Sequence, residues 1–219
     1  MLRRIGLVTI GQSPRKDVTH DMTPIIGSNV TITECGALDG LSTSEIEEFA
    51  PKDNEDVLVT RLSDGREVRV SYKKIMRRLV DCIRSLEKHV DIIAILCTGD
   101  FPKISSSRLI IKPSDLMLAI VKVMAPTSLG VIVPDDSQRC FAKRRWSAVS
   151  QEIHVKVFSP YTGRLEDLAK LTQDLRTCDV IVMDCIGYTS KMKDIVKKVT
   201  ERPVILPRTL LARVLSELI

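Results

Sequence analysis

Short, strand-sized apolar runs alternate with helix-patterned segments almost from end to end of this 219-residue chain. That alternation restricts its fold more than any other feature. Residues 5–10, 92–97, 129–133, 155–158, 179–184 and 204–206 read as strands, being short, apolar and rich in Val and Ile. Between them lie helical segments. Ile75, Leu79, Cys82, Ile83 and Leu86 share one face of residues 72–88, and Leu165, Leu168, Leu171 and Leu175 share one face of residues 164–176. Pro113 and Pro207 stand where helices begin, which suits a residue with fixed φ and no N–H to lose. Asp64-Gly65, between residues 57–61 and 67–70, signals a β-hairpin. Strand–helix alternation predicts an α/β fold with parallel sheets covered on both faces. Ligands bind such folds at the carboxyl ends of the strands.

The pattern repeats once. In the first half one strand runs into Gly11-Gln12-Ser13-Pro14-Arg15 and a later one into Cys97-Thr98-Gly99-Asp100. In the second half the counterparts run into Pro134-Asp135-Asp136-Ser137-Gln138 and Cys185-Ile186-Gly187-Tyr188. The first interval is longer by about the segment that carries the hairpin. We therefore expect two Rossmann-like parallel-sheet lobes with a pseudo-two-fold relation and a β-hairpin inserted in the first. The first lobe would span residues 1–112, with the hairpin near 57–70, completed by a C-terminal helix at 207–219. The second would span 113–206.

Composition excludes several classes. With 44% hydrophobic and 28% charged residues, the chain is neither disordered nor fibrous. A net charge of +5 is mild. With 4% aromatic residues there is little for bases to stack on, so no nucleic-acid partner is expected. Lys143-Arg144-Arg145 and the group Lys191, Lys193, Lys197 and Lys198 read as solvated helix faces. No run approaches the roughly 18 apolar residues of a membrane span, and no signal-peptide pattern follows Met1, so we expect a cytoplasmic protein without a membrane partner. Neither a dinucleotide fingerprint nor a P-loop occurs, and His20, His89 and His154 are isolated, so neither a nucleotide cofactor nor a metal is expected.

The six cysteines include no C-x-x-C pair, and a cytosolic chain of this size would keep them reduced. Cys35, Cys82, Cys140 and Cys178 read as small buried hydrophobes. Cys97 and Cys185 differ, because each closes an apolar strand, each is followed two residues later by Gly, and each holds the same place in its half. Both could simply be small residues ending buried strands. The chemical alternative is that turn amides draw their pKa down towards neutrality. Two thiols across a ligand could then remove a proton from a carbon beside a carbonyl and return one to the opposite face.

Gly11-Gln12-Ser13-Pro14-Arg15, Gly36-Ala37-Leu38-Asp39-Gly40-Leu41 and Asp184-Cys185-Ile186-Gly187-Tyr188, in this order, resemble the AroM family. That family in turn resembles the aspartate/glutamate/hydantoin racemase superfamily, whose two lobes enclose a cleft and whose racemases need no cofactor and use one Cys from each lobe. The resemblance implies catalytic roles for Cys97 and Cys185. It implies substrate contacts from Gln12, Ser13, Thr98, Gly99, Asp100, Ile186, Gly187 and Tyr188. Arg15 would clamp a carboxylate, and Asp100 and Asp184 could orient a thiol or a substrate nitrogen. The Cys-x-Gly turns look closer to the hydantoin racemases. The Cys-Asn-Thr and Gly-Cys-Thr signatures of amino-acid racemases are missing, which argues against a free amino acid as substrate. The expected activity is that of a cofactor-independent racemase or isomerase. Its small-molecule substrate would be an amino-acid derivative, a hydantoin-like ring or another small carboxylate or amide. A metabolite-binding or regulatory protein on the same fold is the alternative, and either is compatible with a homodimer.

Overall fold

A computed structural model describes residues 3–53 and 55–219. In the first lobe β1 (Arg3–Thr9), α1 (Lys16–Ile26), β2 (Val30–Gly36) and a short α2 (Thr43–Glu47) lead into a hairpin, β3 (Val57–Arg61) and β4 (Glu67–Ser71). Then come α3 (Tyr72–Leu86), β5 (Ile92–Ile95) and β6 (Leu109–Ile111). The chain continues through α4 (Pro113–Met124), β7 (Ser128–Val133), α5 (Arg139–Trp146), β8 (Glu152–Val157), α6 (Leu165–Leu171), β9 (Val180–Met183), α7 (Ser190–Thr200), β10 (Val204–Ile205) and α8 (Pro207–Leu218).

Two separate parallel sheets result, ordered β2-β1-β5-β6 and β8-β7-β9-β10. Each runs second-first-third-fourth in its own chain order, so β1 is the counterpart of β7 and β5 of β9. This is the doubled α/β architecture that the sequence predicts. The central strands β5 and β9 are buried along their whole length, because helices cover both faces. The antiparallel hairpin belongs to neither sheet. It and α2 fill the stretch between β2 and α3 that lengthens the first half.

Local chemistry sets the helix starts. The Ser71 hydroxyl caps α3 by accepting from the Lys74 N–H at 3.5 Å, and Thr189 caps α7 through the Met192 N–H at 3.2 Å. Pro113 and Pro207 occupy the first turns of α4 and α8.

Helix α8 lies on the first sheet beside α1, where Leu211, Ala212 and Leu215 share a core with Val18, Met22 and Ile26. Its Arg208 is 1% exposed and spans the lobes. The guanidinium donates from Nε and Nη2 to the Ile186 carbonyl (3.0 and 2.8 Å). From Nη1 it reaches the Asp17 carbonyl (2.7 Å) and Asp21 Oδ2 (3.1 Å) on α1.

The cysteine expectations need two corrections. Cys35 and Cys82 form a disulfide rather than two reduced thiols. Strand β2 packs beside α3 and brings their Cα atoms to 5.6 Å, within bonding range. Cys140 is exposed on α5 rather than buried. Among the described residues, no helix is long and apolar enough to cross a membrane.

The bridge closes a loop with a sequence separation of 47. Replacing both residues by Ser should therefore lower unfolding stability by roughly 2–4 kcal/mol through the freer unfolded chain. Denaturant unfolding checks this. A thiol reductant should lower the stability of the natural sequence and leave the double variant unchanged, whereas equal sensitivity of the two proteins would show that the bridge does not form.

Candidate active site

The carboxyl ends of β5 and β9 open on the seam between the lobes, and each delivers a cysteine there. Cys97 is 7% exposed and Cys185 is 6% exposed. Their local geometry is the same. The sulfur of Cys97 accepts the Gly99 N–H at 3.4 Å, and that of Cys185 accepts the Gly187 N–H at 3.4 Å. Both are free thiols, and both line one cavity of about 270 Å³. That volume is at the small end for ligand pockets.

Of the residues singled out from the sequence, Thr98, Gly99, Asp100, Asp184 and Ile186 also line this cavity. The rest lie elsewhere. Gln12 Oε1 accepts the backbone N–H and hydroxyl of Ser63 in the hairpin turn (2.9 and 2.8 Å). Ser13 donates its backbone N–H to Asp39 Oδ1 at 2.7 Å and its hydroxyl to Asp39 Oδ2 at 2.5 Å. Arg15 is 2% exposed and pairs with Asp17 at 2.9 Å. It donates further to the hydroxyls of Thr9 and Tyr161, both at 3.1 Å. The Tyr188 hydroxyl donates to the Phe158 carbonyl at 2.7 Å inside the second lobe's core. Gly187 is buried against Tyr161, whose hydroxyl a Cβ would approach to 2.5 Å.

The hairpin explains why the loop after β1 stays out of the cavity. A Cβ at Gly11 would sit 2.4 Å from the Thr60 hydroxyl and 2.5 Å from the Arg61 carbonyl, so only glycine lets β3 pass this closely. The hairpin lies over the loop, and Val57, Leu58 and Val59 of β3 form a cavity wall instead. It also fastens to the second lobe. Gln138 Nε2 donates to the Val57 carbonyl (2.9 Å), Arg69 pairs with Asp135 (3.1 Å), and the Ser159 hydroxyl meets Glu67.

Another wall comes from α5 and the residue before it, through Gln138, Phe141, Ala142 and Arg145. This is an i, i+3, i+4, i+7 stripe, the pattern of one helix face. Lys143 and Arg144 are exposed, as a solvated basic face requires, but Arg145 turns inward with a side chain 9% exposed. Its Nη1 donates to the Thr98 carbonyl (2.9 Å) and its Nη2 to the Ser114 carbonyl (2.8 Å). It also lies 3.7 Å from Asp184 Oδ2. The same Oδ2 accepts the Trp146 indole N–H at 2.8 Å, and the Thr98 hydroxyl donates to the Asp184 carbonyl at 3.2 Å. The stripe spacing carried the signal for Arg145. The run of three basic residues masked it.

The electrostatics correct another expectation. Burial pushes Cys97 up to about 12 and Cys185 up to about 11, outweighing the glycine amides and the charge of Arg15. Both thiols are neutral near pH 7. Among the described residues, no three His, Cys, Asp or Glu side chains are grouped to hold a metal ion.

No curated protein sequence matches the chain. Solved structures do. Allantoin racemase from Klebsiella pneumoniae is 13% identical, covering 99% of this chain and 87% of that one, with a TM-score of 0.67. Glutamate racemase from Francisella tularensis subsp. tularensis SCHU S4, in complex with D-glutamate, is 13% identical, covering 99% and 81%, with a TM-score of 0.60. The maleate isomerase Iso from Pseudomonas putida S16 is 12% identical, covering 99% and 92%, with a TM-score of 0.59. At these identities the likeness is one of fold. The family model described as AroM protein matches residues 5–219, and the chain belongs to the AroM family.

Proposed function

We propose that this protein is a cofactor-independent racemase or isomerase that moves a proton at a carbon beside a carbonyl through Cys97 and Cys185. The supporting observation is that one thiol from each lobe lines the same cavity with matched backbone contacts. Two racemases and an isomerase with the same fold add to it.

In this mechanism one cysteine is a thiolate and the other a thiol. The thiolate takes the carbon-bound proton, so a C–H bond breaks, an S–H bond forms, and the electron pair passes into the carbonyl as an enolate. The opposing thiol gives its proton to the other face, so its S–H bond breaks and a new C–H bond forms. The pair exchanges roles with each inversion. Gly99 and Gly187 stabilise whichever sulfur is ionised, and Arg145 sets a positive charge towards the developing enolate. Thr98 and Asp184 hold the two thiol loops together across the seam. Gln12, Arg15 and Tyr188 act at one remove, by fixing the hairpin and the loop that carries Cys185, and Ser13 by holding the loop after β2 through Asp39.

The raised thiol pKa values favour a second reading, a metabolite-binding protein that performs no turnover. Incubation with chiral amides, hydantoins and carboxylates in deuterium oxide separates the two. The enzyme reading requires deuterium at the carbon beside the carbonyl, and ligand stabilisation without exchange supports the binding reading.

Cys97→Ser and Cys185→Ser should each lower racemisation by about 10²–10⁴-fold, the usual worth of a positioned acid or base. Each should retain exchange from at most one enantiomer, as followed by NMR. Full activity in both variants would sink the two-thiol mechanism.

The alkaline thiols also set the pH profile. Ionisation becomes more complete as pH rises towards the shifted values of about 11 and about 12. The ratio kcat/KM, which reports the thiols of the free protein, should therefore climb about tenfold per pH unit between pH 7 and 10 and fall away in acid. A profile flat across that interval would mean that neither thiolate is the base.

A further inference from the structure

We infer that Arg15 and Tyr161 are positioning residues that make Cys185 the resting thiolate of the pair and Cys97 the resting acid. This deepens the isomerase reading and rests on it.

The two thiol turns match in their glycine amides but not in what stands behind them. A Cβ at Gly187 would lie 2.5 Å from the Tyr161 hydroxyl and 2.8 Å from Pro160 Cγ. The Tyr161 phenol is therefore pressed against the turn whose N–H donates to the Cys185 sulfur. The same hydroxyl accepts from Nη2 of Arg15, in the other lobe, at 3.1 Å. A Cβ at Gly99 would instead meet only carbon, Leu58 Cδ2 at 3.0 Å and the Phe101 ring at 3.1 Å. A cation-linked brace backs one turn and hydrocarbon the other.

The brace is held at its far end. Arg15 Nε and Nη2 donate to the carboxylate oxygens of Asp17, both at 2.9 Å, and Nη1 donates to the hydroxyls of Thr9 and Thr60 at 3.1 and 3.4 Å. Lysine would keep the charge and lose the fork. Burial pushes the Tyr161 hydroxyl up, so it meets Arg15 as a neutral acceptor.

Charge repeats the asymmetry. A second buried guanidinium, Arg208, donates to the Ile186 carbonyl, directly after Cys185. Burial dominates at both thiols, raising Cys185 to about 11 and Cys97 to about 12. Against it, the Gly187 amide, Arg15 and Arg208 favour an ionised Cys185, and Asp184 opposes it. At Cys97 the Gly99 amide and Arg15 favour ionisation, and both Cys185 and Asp184 oppose it. Arg145 donates to the Thr98 carbonyl beside Cys97, but that cation faces Asp184 at 3.7 Å. With Cys185 ionised, the shared proton sits on Cys97.

The test is alkylation of the full chain by iodoacetamide between pH 7 and 9, which consumes thiolate. Each cysteine is followed by peptide mass spectrometry, with exposed Cys140 as the reference. In the natural sequence Cys185 should react about tenfold faster than Cys97, the worth of one pKa unit. Arg15→Gln should slow Cys185 about tenfold relative to Cys140, and Arg15→Lys should restore most of that loss. Tyr161→Phe keeps the ring and should slow Cys185 about threefold while leaving Cys97 nearly unchanged. A merely structural role has the opposite sign, because a loosened turn exposes the sulfur and speeds its alkylation. The natural sequence and Tyr161→Phe carry the test even where Arg15→Gln fails to fold. The inference is overturned if Cys97 reacts as fast as Cys185, if Tyr161→Phe leaves Cys185 unchanged or faster, or if Arg15→Lys is as slow as Arg15→Gln. Alkylation is read without turnover. Cys185 reacting first without deuterium exchange into any substrate would keep this inference and remove the isomerase. Cysteine-dependent exchange with Cys97 reacting first would do the opposite.

Discussion

Three arginines are buried along the seam between the lobes, and a buried guanidinium is tolerable only with a partner. Arg15 has Asp17, Arg208 has Asp21, and Arg145 has Asp184 together with two carbonyls. All three clusters join elements of different lobes, that of Arg15 through its bond to the Tyr161 hydroxyl. Arg208 ties α1 to the loop after β9, and Arg145 ties the loop after β5 to α5. Removing one member strands the other as an unpaired buried charge, at a cost of about 3–5 kcal/mol. The seam is therefore held at a fixed width by requirements that apolar packing alone would not impose. The positions of Cys97 and Cys185 are consequences of that fixed width.

The hairpin then breaks the symmetry that the doubled topology creates. In the second lobe the loop after β7 reaches the cavity through Pro134, Ser137 and Gln138. Its counterpart after β1 is covered by β3 and spends its polar groups on Ser63 and Asp39. One insertion thus turns an open cleft between related lobes into a roofed cavity with unlike walls, apolar β3 on one side and the α5 stripe on the other. Closure also desolvates the thiols, so the element that shapes the cavity helps to raise their pKa.

How much of this could be read from residues alone follows from which interactions are local. The buried strands β5 and β9, the hairpin at Asp64-Gly65 and the helix starts at Pro113 and Pro207 depend on neighbours in sequence, and the sequence predicts them. Strand β2 escaped because it mixes Thr31, Thr33 and Glu34 with Val30 and Ile32 and so lacks an apolar run. β6 is three residues long. Helix α1 escaped behind Pro24 and a polar surface. The Cys35–Cys82 bridge is a meeting across the fold, which spacing does not encode, and the inward turn of Arg145 was hidden by the basic run around it. The thiol pKa was misjudged for a related reason. The favourable glycine amides are local, while the larger desolvation comes from everything packed around the cavity.

That desolvation bears directly on the proposed chemistry. A thiol near 11 is scarce as a thiolate at neutral pH, yet the thiolate it forms is a stronger base than an unperturbed one. A cationic group on the bound substrate would ease the scarcity, because an opposite charge within about 4–6 Å lowers an acid's pKa by about 1–3 units. A dicarboxylate in the same place would raise it. In the proposed mechanism the charge of the substrate would therefore help to decide how much thiolate the cavity holds.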